Sequence, residues 1–180
     1  IYVKGVSGIL RLKKAKNVSL RNFNTCWMIL SSVIFADIFT KHAASIHLMY
    51  TVPIKALPFL NFTLIHNRGA ALGFLANSNT IWQVRLLSSI STITIFIIFI
   101  WLFHLQKNKE RYLTSVCLSL ILAGAIGNLY DRLTHEYVVD FLDFHIGTYH
   151  WPVFNLADSA IFIGAITILI MSFHPNNELV

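Results

Sequence analysis

Polar positions interrupt this chain rarely and in clusters, and the longest interval without a formal charge marks its clearest element. Residues 86–105, LLSSISTITIFIIFIWLFHL, hold no charged side chain over about the twenty positions a helix needs to cross a bilayer. Two further runs, 112–131 (YLTSVCLSLILAGAIGNLYD) and 154–173 (FNLADSAIFIGAITILIMSF), are as long and as apolar, with polar groups gathered toward one end. A fourth, 24–43 (NTCWMILSSVIFADIFTKHA), carries Asp37 and Lys41. The pattern predicts an α-helical integral membrane protein with four transmembrane helices, one domain over 23–174, after a basic leader at 1–22 without a fold role and before a short tail at 175–180.

Between the runs the period changes. FLNFTLIHN (59–67) alternates apolar and polar side chains as a half-buried strand does, and NRG follows as a turn. LANSNTIWQV (75–84) reads as a loop leading into a short interfacial helix, with Trp82 at headgroup level. EYVVDFLDFHIGTYHWPVF (136–154) is rich in β-branched and aromatic residues and predicts a partner for the first strand. A small outer-face β-sheet and an interfacial helix therefore complete the expected fold.

Composition fixes the class. Only 12% of residues are charged and 56% are hydrophobic, against roughly 25% charged in a soluble domain. The net charge of +6 would suggest nucleic acid in a soluble protein. Here Lys4, Arg11, Lys13, Lys14, Lys16 and Arg21 precede the first span, and Lys107, Lys109 and Arg111 fill the link between the second and third. Such bunching in short loops marks the cytoplasmic side, so no nucleic-acid partner is expected and both termini are expected in the cytoplasm. The first span follows a basic stretch, as a cleavable signal peptide does, but Asp37 and Lys41 fit that reading poorly.

On this topology the unusual residues share one end. Asp37 and Lys41 fall at the outer end of the first span, Asn128, Asp131 and Arg132 at the outer end of the third, and Asn155 and Asp158 at the outer start of the fourth. Ionisable side chains in membrane segments are costly and commonly functional. Residues three or four apart share a helix face, so Asn128 lies beside Asp131 and Arg132, Asn155 beside Asp158, and Asp37 beside Lys41. Gly124, Gly127 and Asn128 form a small-residue stripe that lets another backbone approach.

Four acids compete for a catalytic role: Asp131, Asp140, Asp143 and Asp158. Arg132 follows Asp131 at once and would hold it ionised, as a structural or substrate-orienting ion pair. Asp140 has apolar and aromatic neighbours, and Asp158 sits about one turn inside its span; both settings raise a carboxyl pKa. Two close carboxyls share a proton and serve as base and acid toward a water, the chemistry of an aspartic protease. The plainer alternative is a solvated loop acid at Asp140 and, at Asp158, an N-terminal acid favoured by the helix macrodipole. The residues alone leave the two open.

Metal chemistry has less support. HEYVV (135–139) starts like HExxH but places Val139 where the second histidine is needed, and His42, His47, His66, His145 and His150 are scattered. Cys26 and Cys117 lack CxxC spacing and read as buried, unreactive thiols. No glycine-rich phosphate loop and no recognisable Ser or Cys nucleophile occurs, so neither cofactor nor metal is expected.

Five blocks in order, FADIFTK (35–41), HNRGAALGF (66–74), AGAIGNLYDRL (123–133), VVDF (138–141) and FNLADSAI (154–161), resemble the signature blocks of bacterial lipoprotein signal peptidase, signal peptidase II. The resemblance covers about residues 25–173. It implies an intramembrane aspartic protease of the bacterial inner membrane, working near the outer face. Its substrates would be lipid-modified prolipoproteins, cut before the cysteine that carries diacylglyceryl. It also implies a catalytic dyad of Asp140 and Asp158 and roles for Asn128, Asp131 and Arg132 in holding substrate and site. Asn155, Asn67, Gly69, Asp37 and Lys41 follow as pocket or support residues. The outer loop around Asn67 to Phe74 is expected to close over the substrate, since a lid that limits water favours a shared proton on the dyad. The chain is expected to act as a monomer among membrane lipids.

Leu72 stands where the family usually has phenylalanine and Ala123 where it usually has glycine. The leader is longer than is typical, as an upstream start would make it. Two rivals remain: a proton-coupled membrane transporter, which needs polar groups through the whole membrane depth, and a scaffold in which Asn and Asp only join helices.

Overall fold

The computed structural model describes residues 3–69, 81–105 and 112–173, with side chains from Asn24 onward. Helix α1 (Val3–His47) passes through the basic leader without a break and into the first apolar run. After it come strands β1 (Ile54–Leu57) and β2 (Leu60–Asn67), helices α2 (Ile81–Leu105) and α3 (Tyr112–His135), strands β3 (Val138–Ile146) and β4 (Tyr149–His150), and helix α4 (Leu156–Phe173). Among the described residues four segments are long and apolar enough to cross a membrane: Asn24–His47, Ile81–Leu105, Tyr112–His135 and Leu156–Phe173.

These spans agree with the hydropathy reading, with two differences. Trp82 belongs to the first turn of α2, where it had been expected on a separate interfacial helix. Helix α2 extends backward from the apolar run through Arg85 and Gln83 to Ile81, so it starts earlier. The rest of that expected helix, and the lid positions after Gly69, lie outside the described residues. Helix α3 likewise continues past Asp131 to His135, and Glu136 at φ 63° turns the chain into β3 with the left-handed geometry common after a helix C-terminus.

The strands form one antiparallel sheet in the order β1-β2-β3-β4. The expected pairing of the two outer segments is β2 with β3, in a register that sets Ile65 opposite Asp140 and Asn61 opposite Asp143. Between Phe62 and Ile65 the register shifts. The extra residue lies in β2, so β3 keeps its strict alternation through this stretch.

Within the bundle α3 is the central helix. Its Leu118, Leu122 and Ala123 pack with Leu30 of α1 and with Ile98, Leu102 and Leu105 of α2. Small residues bring backbones close on the other side: a Cβ at Gly124 would collide with the carbonyl oxygen of Ala157, and one at Gly127 with Oδ2 of Asp37. In lipid, where burying apolar surface between helices gains little, such close van der Waals packing holds helices together. The stripe thus seats α1 and α4 against the end of α3 that carries the polar residues.

Candidate active site

Helix α4 begins with a reciprocal cap. Asn155 Oδ1 accepts from the Asp158 amide at 2.9 Å, and Asp158 Oδ2 accepts from the Asn155 amide at 3.4 Å. This is the capping-box arrangement, with aspartate in place of the usual glutamate. It satisfies N–H groups that would otherwise be orphaned at a helix end, and the macrodipole there favours the negative charge. Asp37 from α1 completes the turn by accepting from the Ala157 amide at 2.8 Å.

The amide of Asn155 then faces β3. Its Nδ2 donates to Asp140 Oδ1 at 2.7 Å, with the Val139 carbonyl oxygen at 3.3 Å and Asn128 Oδ1 at 3.1 Å also near it. Asp140 Oδ2 accepts from Asn67 Nδ2 at 2.9 Å, so both oxygens of this acid receive amide donors. On the far side Asn128 Nδ2 donates to Asp158 Oδ1 at 2.8 Å. Asn155 and Asn128 therefore join Asp140 and Asp158 through a chain of amides.

Lys41 sets the direction of that chain. Its Nζ lies 2.8 Å from Asp37 Oδ2, 3.1 Å from Asp131 Oδ2 and 3.0 Å from Asn128 Oδ1. With the ammonium on its oxygen, Asn128 must present its NH₂ to Asp158. Asp131 Oδ2 also accepts from the Val139 amide at 3.0 Å, which ties α3 to the strand carrying Asp140. Asp37, Lys41, Asp131, Asp140 and Asn155 are all buried, where charges persist only when paired and hydrogen-bonded.

The expected ion pair between Asp131 and Arg132 is corrected. Consecutive residues on a helix point about 100° apart, and among the described ion pairs Asp131 takes Lys41 instead. Arg132 reaches back to the Asn128 carbonyl at 3.5 Å and across to the Gly69 carbonyl at 3.3 Å. Gly69 in turn donates its amide to Asn67 Oδ1 at 2.9 Å. Every residue singled out for this site is thus linked to it, including Asn67 and Gly69 from the end of β2. The Val139 peptide, which serves the site from both of its polar atoms, was not singled out, because a backbone contact leaves no trace in residue identity.

Electrostatics separates the candidate acids. Asp140 is pushed up to about 7, first by burial and next by the charge of Asp158, with the donors Asn67 and Asn155 and the charge of Lys41 pulling the other way. Asp143, on the opposite face of β3, is also raised by burial. Hydrogen bonds from His150, Asn61 and Thr63 outweigh that and hold it below the usual carboxylate range. A carboxyl poised near 7 beside a second acid can hold or release a proton near neutral pH; one held ionised cannot. Among the described residues no three His, Cys, Asp or Glu side chains gather as a metal site would need. Cys26 and Cys117 are free and buried.

Comparison with known proteins gives the family. Residues 29–174 match the family described as Signal peptidase (SPase) II. The chain is 45% identical over 146 residues to a lipoprotein signal peptidase of Francisella tularensis subsp. novicida, covering 81% of this chain and 89% of that one. It is 45% identical over 151 residues to one of Acinetobacter baylyi, covering 83% of each. A solved bacterial membrane enzyme, obtained by the in meso method at 2.3 Å resolution, superposes with a TM-score of 0.70 at 32% identity, covering 86% of this chain and 90% of that one. With four spans, a small antiparallel sheet and a match over nearly the whole membrane domain, this chain belongs to the signal peptidase II family of multi-pass membrane proteases.

Proposed function

We propose that the chain is an intramembrane aspartic endopeptidase that removes signal peptides from diacylglyceryl-modified prolipoproteins, cutting before the lipidated cysteine. The observation that carries this reading is the amide chain joining Asp140 and Asp158, with one of the two acids poised near 7. The substrate enters sideways from the membrane with its acyl chains among lipids, and the scissile peptide bond reaches the pair. A water between the carboxyls loses a proton to one of them as its oxygen attacks the carbonyl carbon. The other donates to the carbonyl oxygen, and the leaving amine takes a proton as the C–N bond breaks. The pair titrates as a unit, so the two roles belong to the dyad and not to one residue.

The surrounding residues have definite tasks in this scheme. Asn67 and Asn155 fix the plane of Asp140, and Asn128 fixes Asp158. Arg132 supplies positive charge beside both acids and steadies the turn at Gly69. Lys41, Asp37 and Asp131 hold the three helices and β3 in register. The protein works as a monomer in the bacterial inner membrane, with the sheet outside and both termini in the cytoplasm. Formal charges on the described spans, Asp37, Lys41, Arg85, Asp131, Arg132 and Asp158, gather toward the sheet end. This favours a one-sided site over the through-path a proton-coupled transporter needs.

The test is cleavage of a diacylglyceryl-modified prolipoprotein by the purified protein in detergent, beside the same precursor without lipid. Wild type should cut only the lipidated form, and folded Asp140→Asn and Asp158→Asn variants should cut neither. Full cleavage by either variant would remove the dyad from the mechanism.

A further inference from the structure

The sheet carries a second feature that the dyad does not use. A cleft of about 530 Å³ opens at its far end, lined by Phe59, Phe144, Ile146, Tyr149, Trp151 and Phe154 together with His145. Phe144 stacks with Phe59 at 6.2 Å on one side and with Phe154 at 5.6 Å on the other. Its rim is exposed: Ile146 by 84%, Tyr149 by 66% and Trp151 by 50%. At the hairpin turn Gly147 takes φ +61°, a conformation glycine adopts without a Cβ penalty. An exposed isoleucine, tyrosine and tryptophan side by side form an apolar patch of the kind that marks an interaction surface.

Two geometric facts identify what covers it. Alternate residues of a strand share a face, so Asp140, Leu142, Phe144 and Ile146 line one side of β3, and Tyr149, paired with Ile146, lies on that side too. Near Asp140 this face is buried against the helix ends; by Phe144 and Ile146, roughly 13 and 20 Å farther on, it is exposed. The strand therefore overhangs the bundle. The second fact is depth. Helix α4 has 18 residues and spans roughly 27 Å, close to the about 30 Å of bilayer hydrocarbon. Placed across that thickness, the described helix sets its first residue, Leu156, at the hydrocarbon boundary, and Phe154, two residues earlier, within about 7 Å of it. At that depth the cleft, which Phe154 lines, is level with the membrane–water interface.

We propose that this aromatic cleft is an interfacial lipid site. The end of the β3–β4 hairpin rests in the leaflet on the sheet's side, and the cleft takes the glycerol-proximal part of a phospholipid acyl chain. Tyr149 and Trp151, amphipathic rings that favour the headgroup level, hold the hairpin at that depth. The anchored hairpin turns the face that carries Asp140 toward the bilayer, where a lipid-borne peptide arrives.

The proposal is tested on the full chain in lipid nanodiscs, without any catalytic readout, so its outcome is independent of the dyad. Substitution of Trp27, Trp82 and Trp101 by Phe leaves Trp151 as the sole tryptophan. Its emission should be blue-shifted, strongly quenched by phosphatidylcholine brominated near the glycerol, less by chains brominated near their ends, and little by aqueous iodide. Strong iodide quenching with none from brominated lipid would overturn the proposal. So would a blue shift that lipid does not quench and that disappears on dilution, since a second copy would then fill the cleft. Where the tryptophan variant does not fold, a nitroxide at Ile146→Cys, with Cys26 and Cys117 changed to Ser, reads the same question. Collisions with oxygen should exceed those with a water-soluble nickel chelate, and the reverse order would refute the site.

Discussion

Asp140 and Asp143 stand three residues apart on one strand, both buried and both hydrogen-bonded, yet they titrate in opposite directions. Each receives side-chain amide donors: Asn67 and Asn155 on the first, Asn61 on the second. Donors alone therefore do not decide the outcome. Burial raises both and is the largest single cause at each, and the neighbouring groups add to it at Asp140 and outweigh it at Asp143. Asp140 faces Asp158, so ionising one acid opposes ionising the other, while Asp143 Oδ1 lies 2.7 Å from His150 Nδ1 and Thr63 adds a hydroxyl at 3.1 Å. The alternation of the strand separates the two: one face makes an acid that can exchange a proton, and the other makes an acid that ties the hairpin together.

The sharpest way to break this contrast is to neutralise each acid in turn. Asp140→Asn should lower the rate of lipoprotein cleavage by about 10²–10⁴-fold, the range for losing a positioned acid or base, and Asp143→Asn should leave the rate within severalfold of wild type. Rates measured on folded protein in detergent, with the two results exchanged, would put the chemistry on the other face. A related titration sharpens the cause. In Asp158→Asn protein, the Asp140 carboxyl followed by carbon NMR should titrate below about 7, because a repelling charge is gone.

Next in size is the loss of Lys41. Its ammonium compensates two buried acids, and breaking such a set by removing one partner costs about 3–5 kcal/mol. Lys41→Met should therefore lower thermal stability markedly, and in whatever remains folded it should raise the Asp140 titration while leaving that of Asp143 in place. If both moved together, the two faces would share one electrostatic environment and the contrast would fail. Gly127→Ala acts on the same network by contact instead of charge. The added methyl meets Asp37 Oδ2, and overpacking of this kind costs about 1–3 kcal/mol. A variant as stable as wild type would mean that α1 can shift without disturbing the cap of α4.

How much of this was legible beforehand follows from the range of each signal. The four spans were readable because twenty apolar residues in succession have few other uses, and the β2–β3 pairing because FLNFTLIHN alternates. Strand β1 was not, since all four of its residues are exposed and no alternation marks it. Trp82 was misjudged because an aromatic at a span's edge looks the same whether it starts the helix or precedes it. Within a helix, spacing gave Asp37 with Lys41 correctly. Adjacency suggested Asp131 with Arg132 and failed, because neighbours in sequence diverge on a helix. The contacts between helices, Asn128 to Asp158 and Lys41 to Asp131, depend on how α1, α3 and α4 dock, and no local pattern encodes that. Family blocks indicated which residues gather, and the fold supplied which atom faces which.

The smallest effect tests the quiet face. His150→Phe removes the closest donor to Asp143, whose carboxyl should then rise toward the ordinary range. His150 is half exposed, so the stability lost at neutral pH should stay below about 1 kcal/mol. The pH dependence carries more information than the size. An acid held below its ordinary value contributes stability that is present above the carboxylate range and lost as pH falls through the lowered value. For Asp140 the sign is opposite: its contribution is present below the ordinary value of 3.8 and lost as pH climbs through about 7. Thermal unfolding measured across pH should show the acid-side loss shrink in His150→Phe while the loss on approaching 7 stays as in wild type. A change in the second slope would mean that protons on one face of β3 are felt on the other, and the strand would then couple the two acids instead of insulating them.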